Sequence, residues 1–315
     1  MHSFSCRSVS AHTCDGGARE FDIAHLHAWR NAPAAIAAHH LRKAGVPYIV
    51  APNGTLPIIE RRRLAKRVFD AVIGTRLLAG ARRLLAVSEA ERRQLLGLGI
   101  SHEDIRLVAN PVDLGEFAPP PQRGVFRNAI GHGGGPLVVF LGKLTPRKRA
   151  DLLVRAFGRL DRPDARLVIA GNDMGAGQSV MALARALDVE GRTLFTGLLR
   201  GRARLEALAD ADVVVYPSQD EVFGLVPIEA LLAGTPVVVA DDCGCGEVVS
   251  ACGGGQVVTL GDVEALARAI DRVLACPRPW RAAAAAAAAR IRRMYARDEI
   301  CAQLEALYAE VVATA

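Results

Sequence analysis

PLVVFLGKLTPRKRADLLVRAFGRLDRPDARLVIAG, residues 136–171, decides the fold. Two β-branched runs, PLVVFLG (136–142) and ARLVIAG (165–171), flank a stretch with the apolar spacing of a helix. Strands that are apolar throughout and separated by crossover helices form parallel sheets covered on both faces. The same rhythm continues outward through RTLFTG (192–197), DVVVYPS (212–218), PVVVAD (236–241) and the shorter GGGQVV (253–258). Each interval has room for a crossover helix. Residues 136–280 therefore read as one α/β domain with a doubly wound parallel sheet.

Towards the N-terminus, Pro111, the run Pro119-Pro120-Pro121 and GHGGG (131–135) form the densest group of helix breakers in the chain. Residues 119–135 read as an interdomain linker. The glycines precede a strand, whereas a phosphate cradle follows one and opens a helix, so they read as flexible chain. Residues 1–118 hold a shorter set of similar units, with FDIAHLH (21–27), PYIVAP (47–52) and RLLAVS (83–88) as strands. Three strands are few for an open sheet, and this first domain reads as incomplete. Beyond Trp280, eight consecutive alanines lead into helix-spaced Ile291, Tyr295, Leu304 and Leu307. Residues 281–315 read as one long packed helix.

A length of 315 residues suits roughly two domains. With 51% hydrophobic and 23% charged residues, the chain reads as a folded, soluble protein. The longest apolar candidate for a membrane span, residues 222–240, is interrupted by Glu229, and the first 20 residues have no secretory pattern. The seven cysteines, at 6, 14, 243, 245, 252, 276 and 301, are odd in number and irregular in spacing. They suit a reducing cytoplasm, and no CxxC or nearby His completes a metal set around Cys243, Cys245 and Cys252. The net charge of +6 is modest. Its one sharp cluster is ERRRLAKR, residues 60–67, in a helix expected to pack Leu64, Val68 and Val72 against the core. The cations there suit a solvated face, or contact with anionic lipid headgroups or a charged acceptor.

Two segments carry chemistry. In YPSQDEVFGLVPIEALLAGTPVV (216–238) a strand end runs through a loop into a helix, with Glu221 in the loop and Glu229 one turn inside the helix. Ligands of open α/β sheets bind beyond the carboxyl ends of strands, where this loop falls. Pro227 suits a first helical turn, and the N–H groups of Phe223, Gly224, Leu225 and Val226 would then face an anion. In FLGKLTPRKRADLLVRAF (140–157), Lys143 closes a strand and Lys148 precedes a helix, placing two cations where a diphosphate would sit. Arg147 and Arg149 beside them read as surface residues.

These segments resemble the family 4 (group 1) retaining glycosyltransferases, whose hallmark is a pair of glutamates with seven residues between them, as in Glu221-VFGLVPI-Glu229. The resemblance covers residues 21 to about 280 and implies the GT-B fold of two Rossmann-like domains, the closing helix crossing back to the first. It implies that Glu229 holds the ribose hydroxyls of a nucleotide-diphosphate sugar, that Glu221 lies beside the sugar, and that Lys143 and Lys148 bind the phosphates. Phe223 to Val226, with Gly197 at the end of RTLFTG, complete the donor site. Most members carry Arg where this chain has Lys143, which exchanges a bidentate contact for a point charge. VSEAERRQL (87–95) and NPVD (110–113) also match family segments. Two features depart from the pattern. No opening strand with a glycine-rich loop precedes residue 21 apart from Gly16-Gly17, and Asn53 stands in APNGTLP where members commonly place a histidine. His25 and His27, at a strand end, are weaker candidates for contacts from the first domain.

The implied reaction passes a sugar to an acceptor hydroxyl with retention, in polysaccharide or glycolipid synthesis at the cytoplasmic side. It needs no covalent nucleophile, no metal and no cofactor beyond the nucleotide sugar itself. The partners implied are that donor and a sugar or lipid-linked acceptor, with peripheral contact to anionic membrane through residues 60–67 and none to nucleic acid. A nucleotide-sugar-binding module, or an inactive fragment without turnover, is the alternative. A nucleotide-sugar epimerase or hydrolase is a further reading. A dinucleotide oxidoreductase is weaker still, because Gly244-Cys245-Gly246 lacks the third glycine of its fingerprint.

Overall fold

The computed structural model describes residues 20–58 and 63–314. The N-terminal leader reading, Cys6, Cys14, Gly16-Gly17 and residues 60–62 of the basic cluster lie outside the described residues. The chain divides into two compact units, one reaching Pro111 and joined by residues from Arg297 onward, the other Val112–Ala296. The chain leaves the first unit at Pro111, ahead of the linker that the proline and glycine runs predict.

In the first unit the order is β1 (Ala24–His27), α1 (Ala32–Ala44), β2 (Tyr48–Ala51), α2 (Arg63–Phe69), α3 (Thr75–Ala79), β3 (Arg83–Ala86), α4 (Glu89–Gly97) and β4 (Ile105–Leu107). The sheet is parallel in the order β1-β2-β3-β4. β4 was not legible in the sequence because it is only three residues long and buries only Ile105. Asn31 starts α1 by accepting the Ala34 N–H, with Pro33 in the first turn.

The basic helix does not pack as its apolar spacing predicts. Leu64, Val68 and Val72 are 75%, 56% and 56% exposed. The inward stripe is instead Asp70, Gly74 and Leu77. Asp70 is held by the Arg30 guanidinium at 2.7 and 2.8 Å, and Gly74 lies under the Trp29 ring, where a Cβ would come within 2.6 Å. Between α2 and α3 the backbone makes a π turn, Asp70–Gly74, which rotates the helical phase and brings Leu77 and Leu78 into the core.

The second unit runs α5 (Val125–Ala129), β5 (Leu137–Leu141), α6 (Ala150–Phe157), β6 (Arg166–Ala170), α7 (Gly177–Ala186), β7 (Thr193–Gly197), α8 (Gly201–Asp210), β8 (Val213–Tyr216), α9 (Leu225–Leu232), β9 (Val237–Ala240), α10 (Gly244–Cys252), β10 (Gly255–Val258), α11 (Val263–Ala275) and α12 (Pro277–Met294). All six strands read from the sequence are present, parallel, in the order β10-β9-β8-β5-β6-β7. This is the doubly wound dinucleotide-fold order, and the sheet changes direction between β5 and β8. Val138, Phe140, Val213 and Val215 are fully buried between the helical layers.

The segment read as flexible linker is ordered within this unit. Phe126 of α5 is buried, and the buried Asp210 carboxylate accepts the N–H groups of Gly124 and Arg127. A carboxylate so enclosed must be given donors, and the start of α5 supplies them.

The alanine run is a packed helix, as its apolar face predicts, with Ala284, Ala287, Ala288 and Ile291 buried. It does not continue to the C-terminus. The Tyr295 carbonyl accepts the Val112 N–H at 3.0 Å, which takes it out of the helical ladder, and a separate helix α13 (Arg297–Ala313) follows. Within the first unit, α13 is held by Glu310, which takes Arg83 and Arg106 at 2.8 and 2.7 Å.

Candidate functional site

The direction change between β5 and β8 places two loops side by side beyond the strand ends of the second unit. The loop after β5 carries Lys143 and then a tight turn, Pro146–Lys148, ended by Arg149 at φ 50. The loop after β8 carries Ser218 to Glu221. The Arg147 carbonyl accepts the Gln219 N–H at 2.8 Å and the Ser218 hydroxyl at 3.4 Å, and its guanidinium donates to the Asp220 carbonyl. Arg147 thus stitches the two loops together, contrary to its reading as a surface residue, because a half-buried guanidinium can meet a neighbouring loop's carbonyl. The loop after β9 joins them. Glu221 bridges Cys243 in parallel, and its carbonyl accepts the Gly244 N–H at 2.7 Å.

At this meeting point the Lys148 ammonium pairs with Glu221 and donates to the Tyr216 hydroxyl. The hydroxyl in turn donates to Glu221 Oε2 at 3.2 Å. The ammonium also lies 4.8 Å from the centre of the Tyr216 ring, a cation–π contact. Burial, then the negative charge of Glu221, holds the Tyr216 phenol well above its usual range, so it remains a proton donor. Tyr216 was missed in the sequence because it reads as the last residue of a β-branched strand. Its hydroxyl at a carboxyl strand end was the available signal.

Gly224 opens α9 at φ 74, a left-handed conformation, and a Cβ there would stand 3.1 Å from the Cys245 side chain and 3.4 Å from Glu221 Cγ. No side chain caps α9, which leaves its first-turn N–H groups available to an anion. Phe223 is buried with its ring edge-on to Tyr295 at 5.9 Å, Leu225 is exposed, and Val226 is half-buried.

Glu229 does not join the Glu221 cluster. It pairs with Arg204 of α8, which also pairs with Glu116. Burial pushes the Glu229 carboxyl up, the Arg204 hydrogen bond and charge pull it back, and Glu116 adds to the rise. Arg204 was also missed, since GRARLEAL does not distinguish it from Arg202. Lys143 is exposed at the end of β5, without an ion pair among the described residues. Gly197 ends the edge strand β7 at φ 71.

Asn53 and His27 belong to the first unit. Asn53 stands at φ 51, its side-chain oxygen accepting from Asn110 at 3.0 Å. The next residue, Gly54, donates its N–H to the buried Glu91 at 2.7 Å, and Val87 does so at 3.0 Å. His27 is exposed and stacks on His25 at 4.2 Å. Among the described residues no group of three or more His, Cys, Asp or Glu is arranged to hold a metal ion.

Two family models match the chain, one described as glycosyl transferases group 1 over residues 123–292, the other as a glycosyl transferase 4-like domain over residues 3–111. A D-inositol 3-phosphate glycosyltransferase of Frankia alni is 32% identical over 287 residues, covering 85% of this chain and 69% of that protein. The protein of that name from Kineococcus radiotolerans is 31% identical over 248 residues, 70% of this chain and 54% of its own length. The chain thus spans between about half and two thirds of these relatives. Among solved structures, Anabaena Alr3699/HepE in complex with UDP superposes with a TM-score of 0.82 at 20% identity, covering 95% of this chain and 82% of that one. Sucrose-phosphate synthase from Thermosynechococcus elongatus gives 0.76 at 22%, covering 94% and 75%. At such identities the likeness establishes the fold, which is the GT-B fold expected from the sequence.

Proposed function

Since this chain belongs to the group 1 glycosyl transferases, we propose that it moves a sugar from a nucleoside-diphosphate donor to an acceptor hydroxyl with retention at the anomeric carbon. The observation that carries this reading is the Lys148–Glu221 pair, set at the sheet's direction change beside the uncapped start of α9. A diphosphate there meets the Lys148 ammonium and first-turn N–H groups, which stabilise the charge that grows on it as the sugar departs. Lys143 supplies a second, unengaged cation. Glu221, held by Lys148 and Tyr216, offers a fixed carboxylate beside an electron-poor sugar. Such a site works by positioning and electrostatics, without a covalent intermediate, a metal or a further cofactor.

Alr3699/HepE was crystallised with UDP, with UDP and glucose, and with UDP-glucose, which makes a uridine donor the first to test. The curated relatives are named for D-inositol 3-phosphate, so a phosphorylated polyol heads the acceptors. Lipid-linked sugars follow, because the exposed Leu64, Val68 and Val72 lie on a helix that also carries Lys66 and Arg67, a composition suited to an anionic membrane surface at the cytoplasmic side. The test incubates the full chain with UDP, GDP and ADP sugars and these acceptors. Release of nucleoside diphosphate that depends on acceptor, with the donor's anomeric configuration kept in the product, supports the reading. Donor binding without release would leave a binding module, and inversion would exclude the retaining mechanism.

A further inference from the structure

Arg204 lies near the donor site and has no part in the proposed reaction. It lies on α8, and its guanidinium is divided, Nη1 to Glu229 Oε2 and Nη2 to Glu116 Oε2. Both members of the inner pair are largely enclosed, the Arg204 side chain 17% exposed and that of Glu229 13%. Long guanidinium groups lose much rotamer freedom when buried, so an enclosed Arg with two carboxylates is fixed in place. The neighbouring Arg202 donates to the Pro119 and Pro120 carbonyls, which anchors α8 to the segment that carries Glu116.

We propose that Arg204 is the positioning residue for Glu229, anchoring Oε2 through one guanidinium nitrogen so that Oε1 is presented to the ribose diol of the donor. This rests on the donor-site reading of Glu229. The argument from geometry is that a carboxylate with one oxygen tied down can no longer turn about its terminal bond, and a diol needs acceptors in a fixed plane. The argument from charge runs the same way. Burial favours the neutral acid, and only the carboxylate accepts from both hydroxyls. Among the described residues the charged groups that bear on Glu229 are Arg204 of α8 and Glu116 of the turn Leu114–Phe117, with opposite effects. The balance between those two sets how far the carboxylate survives as pH falls. Glu116 holds a second arm of Arg204 and in that way weakens what Arg204 does for Glu229.

The test uses the full chain and, as probe, whichever of UDP, GDP and ADP raises the wild-type melting temperature most. Affinity is measured by calorimetry from about pH 4.5, the ordinary carboxylate range, up to about pH 8, and donor KM and kcat in the transfer assay. Arg204→Met is expected to weaken binding on the order of ten-fold, with the deficit growing towards the acid end, KM rising and kcat nearly unchanged. Arg204→Lys should restore most of the affinity. Glu116→Gln, which leaves Arg204 and its packing in place, should hold binding constant further into acid than in the wild type. Should Arg204→Met melt too low to be assayed, the Lys and Gln variants still decide the matter. Wild-type affinity and pH profile in Arg204→Met, or in Glu116→Gln an affinity lost earlier in acid, overturns the proposal. If that happens while Glu229→Ala binds weakly, the donor site stands and only the role of Arg204 falls. If Glu229→Ala binds normally, or no diphosphate binds the wild type, the donor-site reading falls and this inference with it.

Discussion

Lys148 sits between a carboxylate and a phenol, and its position depends on a residue that contributes no charge to the cluster. Arg149, at φ 50, holds a left-handed turn that costs a residue with a side chain on the order of 1 kcal/mol. That turn ends Pro146–Lys148 and starts α6 at Ala150. Lys148→Ala should cut diphosphate release roughly a hundred-fold, the scale of losing one charge-stabilising donor. Tyr216→Phe, which keeps the ring under the ammonium, should cost far less. Steady-state rates of both variants check this, and equal losses would mean that the phenol takes part in the chemistry. Gly224 is constrained twice, by φ 74 and by Cys245 at 3.1 Å. Gly224→Ala should lower stability by about 1–2 kcal/mol and weaken diphosphate binding, read from melting with and without ligand. A variant as stable as the wild type would show that the loop opens freely. The two glutamates and two lysines of the candidate site could be singled out from the sequence, because charge and spacing survive without coordinates. Tyr216 and Arg204 could not, since only a neighbour from another element, Lys148 for one and Glu229 for the other, brings either of them to those groups.

At the scale of elements, β1 and α13 meet within the first unit where His25 Nδ1 lies 2.8 Å from the Tyr308 hydroxyl. Burial, then the charge of His27, depresses the His25 imidazole from 6.5 to about 4. The folded chain therefore keeps His25 neutral while the unfolded chain takes up a proton near pH 6.5. Its contribution is fully present above that pH and drains away as pH falls towards 4, by at most about 3 kcal/mol. Urea unfolding across that window should show the loss, and His25→Gln should flatten it. An unchanged slope in the variant would place the acid sensitivity elsewhere. On α2 the sequence pattern misled. The stripe Leu64, Val68, Val72 has core spacing, yet the bulk of Trp29 and the Arg30–Asp70 pair select the stripe through Gly74 and Leu77. Changing Leu64, Val68 and Val72 to Ser is thus expected to leave the melting temperature almost unaltered and to reduce co-sedimentation with anionic vesicles several-fold. A large fall in melting temperature, or undiminished sedimentation, would contradict that.

For the molecule as a whole, the second unit holds its own core and every residue assigned to donor binding, from Lys143 to Glu229. Residues Val112–Ala296 expressed alone should fold cooperatively and bind a nucleoside diphosphate within a few-fold of the full chain, as calorimetry would show. A fragment that is unfolded by circular dichroism would mean that its core depends on the rest of the chain. By itself the sequence determined the six parallel strands, their crossover helices and the location of the charged pairs near strand ends, and those rest on local periodicity and on residue types whose chemistry travels with them. The GT-B class came from the family resemblance of the paired glutamates rather than from periodicity. Only the tertiary structure decided where the chain passes between units, since the Pro- and Gly-rich segment after Pro111 is drawn into the second unit by the buried Asp210. It also decided that the C-terminal helix breaks at Tyr295, whose carbonyl is claimed by Val112. The same holds for the paired glutamates. Their spacing announces a site, but which cation each one keeps, Lys148 or Arg204, depends on long-range packing that brings residues distant in the chain within a hydrogen bond of each other.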